Sequence, residues 1–423
     1  MRRSRARRKK VFKMRKTTLG EYADVVAGVS YNPADIALQG VRILRGGNIQ
    51  NGEIVLKQDD VFLDLKYKSS VNQVHCGDTI VVASTGSTDA LGKAATSWCD
   101  ITETQIGAFL RIVRPKERKY AALVSAWLTQ PIFSSYIVNK AKGTGINNIR
   151  REHLLDYKIE VQDDDRLAEF SALYEAVESK ITLNRKKIEK LEALAKTIYD
   201  YWFVQFDFPD ANGRPYKSSG GKMVYNPILK REMPEEWEVL PFAQCIDFTM
   251  GQSPSGETLN ETNKGTLFYQ GATDFGDYFP TPRQYTTLPV RKAMPGDVLL
   301  SVRAPVGTVN IADDECCIGR GVGAFRRRGN AKRGLLVWFH LKSLAPYFDR
   351  KNNAGTTFGA IGKEDFLLLS VPKPSDSLIE RYENMTFNMS RQMLTLHKEI
   401  RNLTNLRDFL LPLLMNGQVE VGE

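Results

Sequence analysis

Gly86–Lys93 is the stretch that comes nearest to a catalytic or nucleotide-binding signature, and it misses on two counts. Five residues separate Gly86 from Gly92, and Ala94 follows Lys93, whereas a phosphate-binding P-loop needs four and a hydroxyl for magnesium. Ser84, Thr85 and Ser87 lie in the same Gly-rich loop with no paired histidine, which makes them turn formers rather than nucleophiles. His75 and Cys76 are chain neighbours, and neighbours on a strand point to opposite faces. Asn32-Pro33-Ala34-Asp35 does not substitute for the Asn-Pro-Pro-aromatic tetrapeptide with which an adenine methyltransferase holds a flipped base. The five cysteines, Cys76, Cys99, Cys245, Cys316 and Cys317, form no CxxC pair, and only four histidines accompany them. Neither a metal site nor a disulfide framework is expected. A non-catalytic chain in a reducing cytoplasm is the reading these residues support.

The side chains better suited to a task are those of binding. Arg45-Gly46-Gly47-Asn48, the loop from Ser84, and Lys140–Arg151 with Lys142, Thr144, Asn147, Asn148, Arg150 and Arg151 combine glycine with amide and cationic groups. Further along, Gln252 and Ser253, Gln270, Arg303, and Lys351, Asn352, Asn353, Thr356 and Thr357 do the same. Arg, Asn and Gln can pair bidentately with guanine or adenine edges, while Ser, Thr and Lys position the phosphate backbone. Singly, such clusters read as surface turns; as a matched set in two copies they read as DNA-contacting loops.

The two copies come from an internal repeat. Gly143, Thr144, Ile149, Glu152 and Leu155 recur as Gly355, Thr356, Ile361, Glu364 and Leu367, an offset of 212 residues. Residues 17–162 alternate short β-branched or aromatic runs with turn residues, as in Ile80-Val81-Val82 and Tyr157–Val161, and residues 237–374 follow the same pattern. Both predict strand-rich units with few helices. Pro295-Gly296-Asp297 is expected to answer Cys76-Gly77-Asp78, and Gly323-Ala324-Phe325 to answer Gly107-Ala108-Phe109. A duplicated enzyme should repeat an acid, base or nucleophile, and none is repeated.

Each unit runs into a long helix, 163–204 and 375–415. Val177, Ile181, Asn184, Ile188, Leu191, Ala195, Ile198 and Trp202 keep a 4-3-4-3 spacing, one seam of a coiled coil. Met389, Met393, Leu396, Ile400, Leu403, Arg407, Leu410 and Leu414 keep it again. Two such seams can bury each other. If the units are equivalent, a pseudo-twofold axis makes the helices antiparallel with a domain at each end. Asn184 is expected to face Leu-type positions and to fix register. Residues 205–236 read as a long linker whose Tyr216 and Tyr225 pack on something, and 416–423 as a tail.

Composition adds one bound. The net charge is +10, but ten of the 59 basic residues fall within residues 1–16, and the remainder balance the 49 acids. That arm is expected to be disordered, sampling phosphates or preceding a functional start at Met14. No apolar run approaches the ~20 residues of a membrane span.

The order of unit, helix, unit, helix resembles the specificity subunits of type I restriction-modification systems. The resemblance is most specific in Ile198–Pro209, Asn212–Val224 and Met233–Trp237, with further likeness in Leu44–Ile49, Pro295–Leu299 and Ile361–Phe366. It covers nearly all of the chain beyond residue 16. It implies an α+β fold with two target recognition domains in pseudo-twofold repeat, joined by two antiparallel coiled-coil helices. Each domain would read half of a bipartite sequence in double-stranded DNA, and the helices would act as a ruler. Two methyltransferase subunits carrying S-adenosylmethionine, and restriction subunits using ATP and magnesium, would be the partners. The copies diverge at Lys142–Asn147 against Ala354–Gly359, which predicts an asymmetric target. A coiled-coil scaffold with paired protein-binding domains is the other reading.

Overall fold

The computed structural model describes residues 15–50, 52–57, 59–85, 90–142, 149–161, 164–329, 335–353 and 360–415. The chain divides into two units. Unit 1 comprises Met1–Leu183 with Arg401–Glu423, and unit 2 comprises Asn184–Ile400.

In unit 1, Arg15–Thr18 pairs antiparallel with Lys158–Val161. Arg15 and Lys16 therefore belong to a strand rather than to the basic arm, the rest of which lies outside the described residues. Two four-stranded sheets follow. One runs Thr104–Ile106, Val41–Leu44, Val61–Leu63, Ile36–Ala37, and the other Ala23–Ala27, Leu110–Pro115, Thr79–Val82, Ala94–Thr96. Ile80 and Val82 enter a core with Leu44, Ile106 and Ile112, while Val81 enters a second with Val113, Val124 and Phe133. Alternate side chains of a strand point to opposite faces, so a strand covered on both faces reads as the continuous apolar run seen in the sequence. The second core is closed by the helices Ala121–Leu128 and Pro131–Lys142.

Unit 2 repeats this plan. Glu238–Pro241 pairs with Ser370–Lys373. A five-stranded sheet runs Leu259–Asn260, Gln284–Thr286, Thr266–Tyr269, Cys316–Ile318, Lys292–Ala293, and a four-stranded sheet runs Ile246–Met250, Val322–Arg327, Val298–Ser301, Val309–Ile311. In each unit one neighbouring pair is parallel, Val41–Leu44 with Thr104–Ile106 and Thr266–Tyr269 with Cys316–Ile318. The framework ion pair repeats too. Arg114 donates to Asp78 at 2.8 and 2.9 Å, and Arg326 donates to Asp297 at 2.7 Å. The matching carboxylates also accept from His75 N and Met294 N, both at 2.8 Å, closing the turns at Gly77 and Gly296, whose φ values of +94° and +84° suit glycine.

The long helices are Asp164–Tyr199, continued by a π-turn at Asp200–Val204, and Asp376–Met415. Within unit 2, Asn184 bonds Glu399 and the Tyr382 hydroxyl bonds Ala195 O, so the two segments run antiparallel there. Ile181, Asn184, Ile188, Ala195, Met393, Leu396 and Ile400 are buried. Leu191, Ile198, Leu403 and Leu410 are half-buried. Asn184 meets the Glu399 carboxylate rather than a Leu-type position, because the residue across the seam from it is acidic. Arg407 likewise finds Glu178, at 2.6 Å, within unit 1.

The expected linker is an ordered segment. Phe206 and Phe208 pack on Trp237 with ring centroids 5.3 and 5.4 Å apart, and Tyr216 stacks on Phe208 at 4.7 Å. Met223–Asn226 and Arg231–Pro234 then form a hairpin. Tyr225, expected to pack, is exposed. Among the described residues no single helix is long and apolar enough to cross a membrane.

Candidate nucleic-acid interface

Five loop segments converge at one end of the sheets in each unit, held by four matching backbone hydrogen bonds. In unit 1, Gly107 N donates to Leu44 O (2.8 Å), Val29 N to Ile106 O (2.8 Å), Ala83 N to Phe109 O (2.9 Å) and Ile149 N to Ala83 O (2.7 Å). In unit 2 the same roles fall to Gly319 N and Tyr269 O (2.8 Å), Gln252 N and Ile318 O (3.0 Å), Val302 N and Gly321 O (2.9 Å), and Ile361 N and Val302 O (2.9 Å). These bonds set the equivalences. Arg45 matches Gln270, Ser84 matches Arg303, and Gly107-Ala108-Phe109 matches Gly319-Arg320-Gly321. The expected partner triplet Gly323-Ala324-Phe325 instead lies in the strand Val322–Arg327, with Phe325 buried in the core. Residue type misled the alignment there, because both triplets begin with glycine and end in phenylalanine.

Glycine is required where two of these loops touch. A Cβ at Gly28 would stand 2.0 Å from Gly107 O, and one at Gly251 would stand 2.2 Å from Gly319 O, well inside van der Waals contact. The closest approach of backbone in this cradle is therefore loop to loop.

The candidate residues separate into two groups. Asn48 is buried, and its amide accepts from Arg45 N (2.8 Å) and donates to Val55 O (2.8 Å) and Asp60 Oδ1 (2.6 Å). Asn352 grips Val306 through both N–H (3.0 Å) and C=O (2.9 Å). Lys351 is ion-paired with Asp365 at 2.7 Å. Each has its polar group engaged by a neighbour in the fold, Asn48 buried from solvent and Lys351 still partly exposed. Burial works to raise the Asp60 carboxyl, but hydrogen bonds from Asn48, Lys57 N and Arg42 outweigh it and hold the group below its usual range. The groove beside Arg45 is lined by Gly47, Lys57, Asp59 and Asp60, and its two carboxylates make it a poor seat for phosphate.

The second group faces outward at the cradle. Arg45, Arg150, Gln252, Gln270 and Arg303 are exposed, and Ser84 and Ser253 are half-buried. Ser253 Oγ donates to Gln270 Oε1 at 3.1 Å and accepts from Arg320 N at 3.3 Å. Arg151 forms a long, exposed pair with Asp24 at 3.8 Å. Thr144, Asn147, Asn148, Thr356 and Thr357, and the side chains of Lys142 and Asn353, lie outside the described residues. Sequence reasoning missed Arg320 and Phe109, both exposed on the turn that precedes the strands Val322–Arg327 and Leu110–Pro115. The signal that could have found them is their place one and two residues after the glycine of that turn.

The framework cations are spent on carboxylates: Arg42 on Asp60, Arg114 on Asp78, Arg326 on Asp297 and Arg328 on Asp247. The guanidinium groups of Arg45, Arg303 and Arg320 have no such partner among the described residues. Cations without a carboxylate partner and exposed amides on such loops are suited to phosphate and base edges.

A curated relative, a putative type I restriction enzyme specificity subunit of Methanocaldococcus jannaschii, is 28% identical over 326 residues, covering 75% of this chain and 71% of that protein. This chain is a relative of the type I specificity subunits. No family model matches the sequence. The crystal structure of the S subunit of the type I restriction-modification system of M. genitalium shares the fold, with a TM-score of 0.58 at 13% identity over 96% of each chain. The HsdS subunit from Thermoanaerobacter tengcongensis is 23% identical over 96% of this chain and 97% of that one, with a TM-score of 0.34.

Proposed function

We propose that this specificity-subunit relative is a non-catalytic DNA-recognition subunit that reads a bipartite, asymmetric sequence with one loop cradle in each unit. The observation that carries the reading is the duplicated cradle. The same four backbone hydrogen bonds recur in both units, yet the side chains they present differ, as two readers of unlike half-sites require. The long helices serve as the ruler between half-sites. Two methyltransferase subunits bring S-adenosylmethionine, and restriction subunits bring ATP and magnesium. The complex acts in the cytoplasm, where it directs adenine methylation.

The test is binding of the chain, together with its methyltransferase partner, to duplexes carrying the motif mapped by N6-methyladenine sequencing. Affinity should fall steeply with salt on a log-log plot, at about −0.9 per phosphate contact, and the motif should have two different halves. A flat salt response, or a palindromic motif, would count against the reading.

A further inference from the structure

The two cradles share a backbone plan but carry different chemistry. At the position of Arg45 in unit 1, unit 2 has Gln270; at that of Ser84 it has Arg303; at that of Ala108, Arg320; and at that of Phe109, Gly321. Unit 2 thus has guanidinium groups where unit 1 has Ser84 and Ala108, an amide where it has the Arg45 guanidinium, and glycine where it has Phe109.

In unit 1 the turn holding Phe109 is fixed in place. The Phe109 carbonyl accepts from both Ala83 N (2.9 Å) and Ser84 N (3.1 Å). Arg111 donates to Ala108 O and Leu110 O, both at 2.7 Å, and unit 2 has Gly323 in its place. Despite this bracing, the Phe109 side chain is 66% exposed. A large apolar group held out in water on a braced turn, whose Gly107 lies against the exposed Arg45, is suited to a partner surface that offers an apolar feature in a polar groove. In unit 2 the exposed Gln270 accepts from Ser253 through its carbonyl, and Ser253 in turn accepts from Arg320 N, so amide and turn are tied together.

We infer that the units read DNA by different means: unit 1 contacts a thymine 5-methyl group through Phe109, and unit 2 hydrogen-bonds purine edges in the major groove through Gln270 and Arg320. The chemistry follows from the groove. Thymine presents a methyl group there, adenine presents N6 and N7 to an amide, and guanine presents O6 and N7 to a guanidinium. The inference rests on the DNA-recognition reading above and adds which chemistry serves which half.

Base analogues test it on the complex with the methyltransferase partner, using its mapped target. Each thymine is replaced in turn by deoxyuridine, and each purine by its 7-deaza form, and equilibrium affinity is measured. In one half-site, deoxyuridine at one position should weaken binding about threefold to fivefold, the loss expected for one buried methyl. Phe109→Ala should lose that sensitivity and Phe109→Leu should keep part of it. In the other half-site, 7-deaza substitution should weaken binding about tenfold, and Gln270→Ala with Arg320→Ala should remove that response. The inference is overturned if Phe109→Ala keeps the deoxyuridine response, if the half-site insensitive to Gln270 and Arg320 contains no thymine, or if both halves respond alike to both analogues. A complex with no preference for the target over a scrambled duplex would remove the DNA reading itself, a distinct result that takes the inference with it.

Discussion

Asn184 on the first long helix donates from Nδ2 to Glu399 Oε2 on the second, at 2.8 Å, while its own Oδ1 is buried without a partner among the described residues. One satisfied and one unsatisfied end make this residue costly for stability. It is fully buried, and an unpaired buried acceptor costs about 1–3 kcal/mol. Asn184→Leu is expected to raise the melting temperature by about 2–4 °C, as a gain of about 1 kcal/mol does for a unit of this size. Asn184→Ala, which leaves a cavity, should lower it. Thermal unfolding of both variants checks this, and a lower melting temperature for the leucine variant would show that the polar contact is net stabilising.

The repeated ion pair predicts matched losses. Asp78 and Asp297 have side chains only 2% and 0% exposed, and each serves an arginine and a backbone N–H. Asp78→Ala and Asp297→Ala should each cost about 3–5 kcal/mol, the range for breaking a buried pair from one side. Denaturant titration should return losses of similar size for the two variants. A loss confined to one of them would mean that the repeated geometry does not carry repeated energetics.

Close backbone contact makes Gly28 and Gly251 sensitive. Alanine at either must push loops apart, since its Cβ would overlap Gly107 O or Gly319 O. Gly28→Ala and Gly251→Ala should each weaken recognition of one half-site by tenfold or more, on the order of 1.4 kcal/mol. Gly256→Ala, where nothing lies within 4 Å, is the control and should bind as the parent does. Competition binding with each half-site scrambled in turn reads out which half is affected.

Stability should also depend on pH through His340. Burial, with Arg231 adding to it, pushes its pKa from 6.5 down to about 4. Between those values the unfolded chain binds a proton that the folded chain refuses. The contribution is therefore complete above pH 6.5 and is lost as pH falls to about 4, on the order of 3 kcal/mol in all. His340→Leu should flatten the melting-temperature profile over that interval relative to the parent chain. Parallel profiles for the two proteins would refute the assignment.

What the sequence by itself determined is the duplication, the heptad seam and the want of a repeated catalytic set. Ile181, Ile188, Met393 and Ile400 announce their burial because helical periodicity is local, fixed by 3.6 residues per turn wherever the helix lies. The strand run at Ile80–Val82 was legible because a strand covered on both faces is a continuous run of β-branched residues. The π-turn and aromatic cluster after Tyr199 were not, because Phe206 and Phe208 look like linker residues until their rings meet Trp237.

Only the tertiary structure decided which polar side chains are free to bind. Asn48 and Gln270 are both amide residues at the cradle loops, but Asn48 points into the fold toward Asp60 and Gln270 points out beside Ser253. Asn352 is tied to Val306, 46 positions away, and no local pattern encodes such a partner. The register of the repeat depends on loop lengths as well, so the offset from Gly77 to Gly296 differs from that between Gly107 and Gly319. Hydrogen bonds between distant segments, rather than residue types along the chain, set the equivalence of the two cradles and brought Phe109 and Arg320 into view.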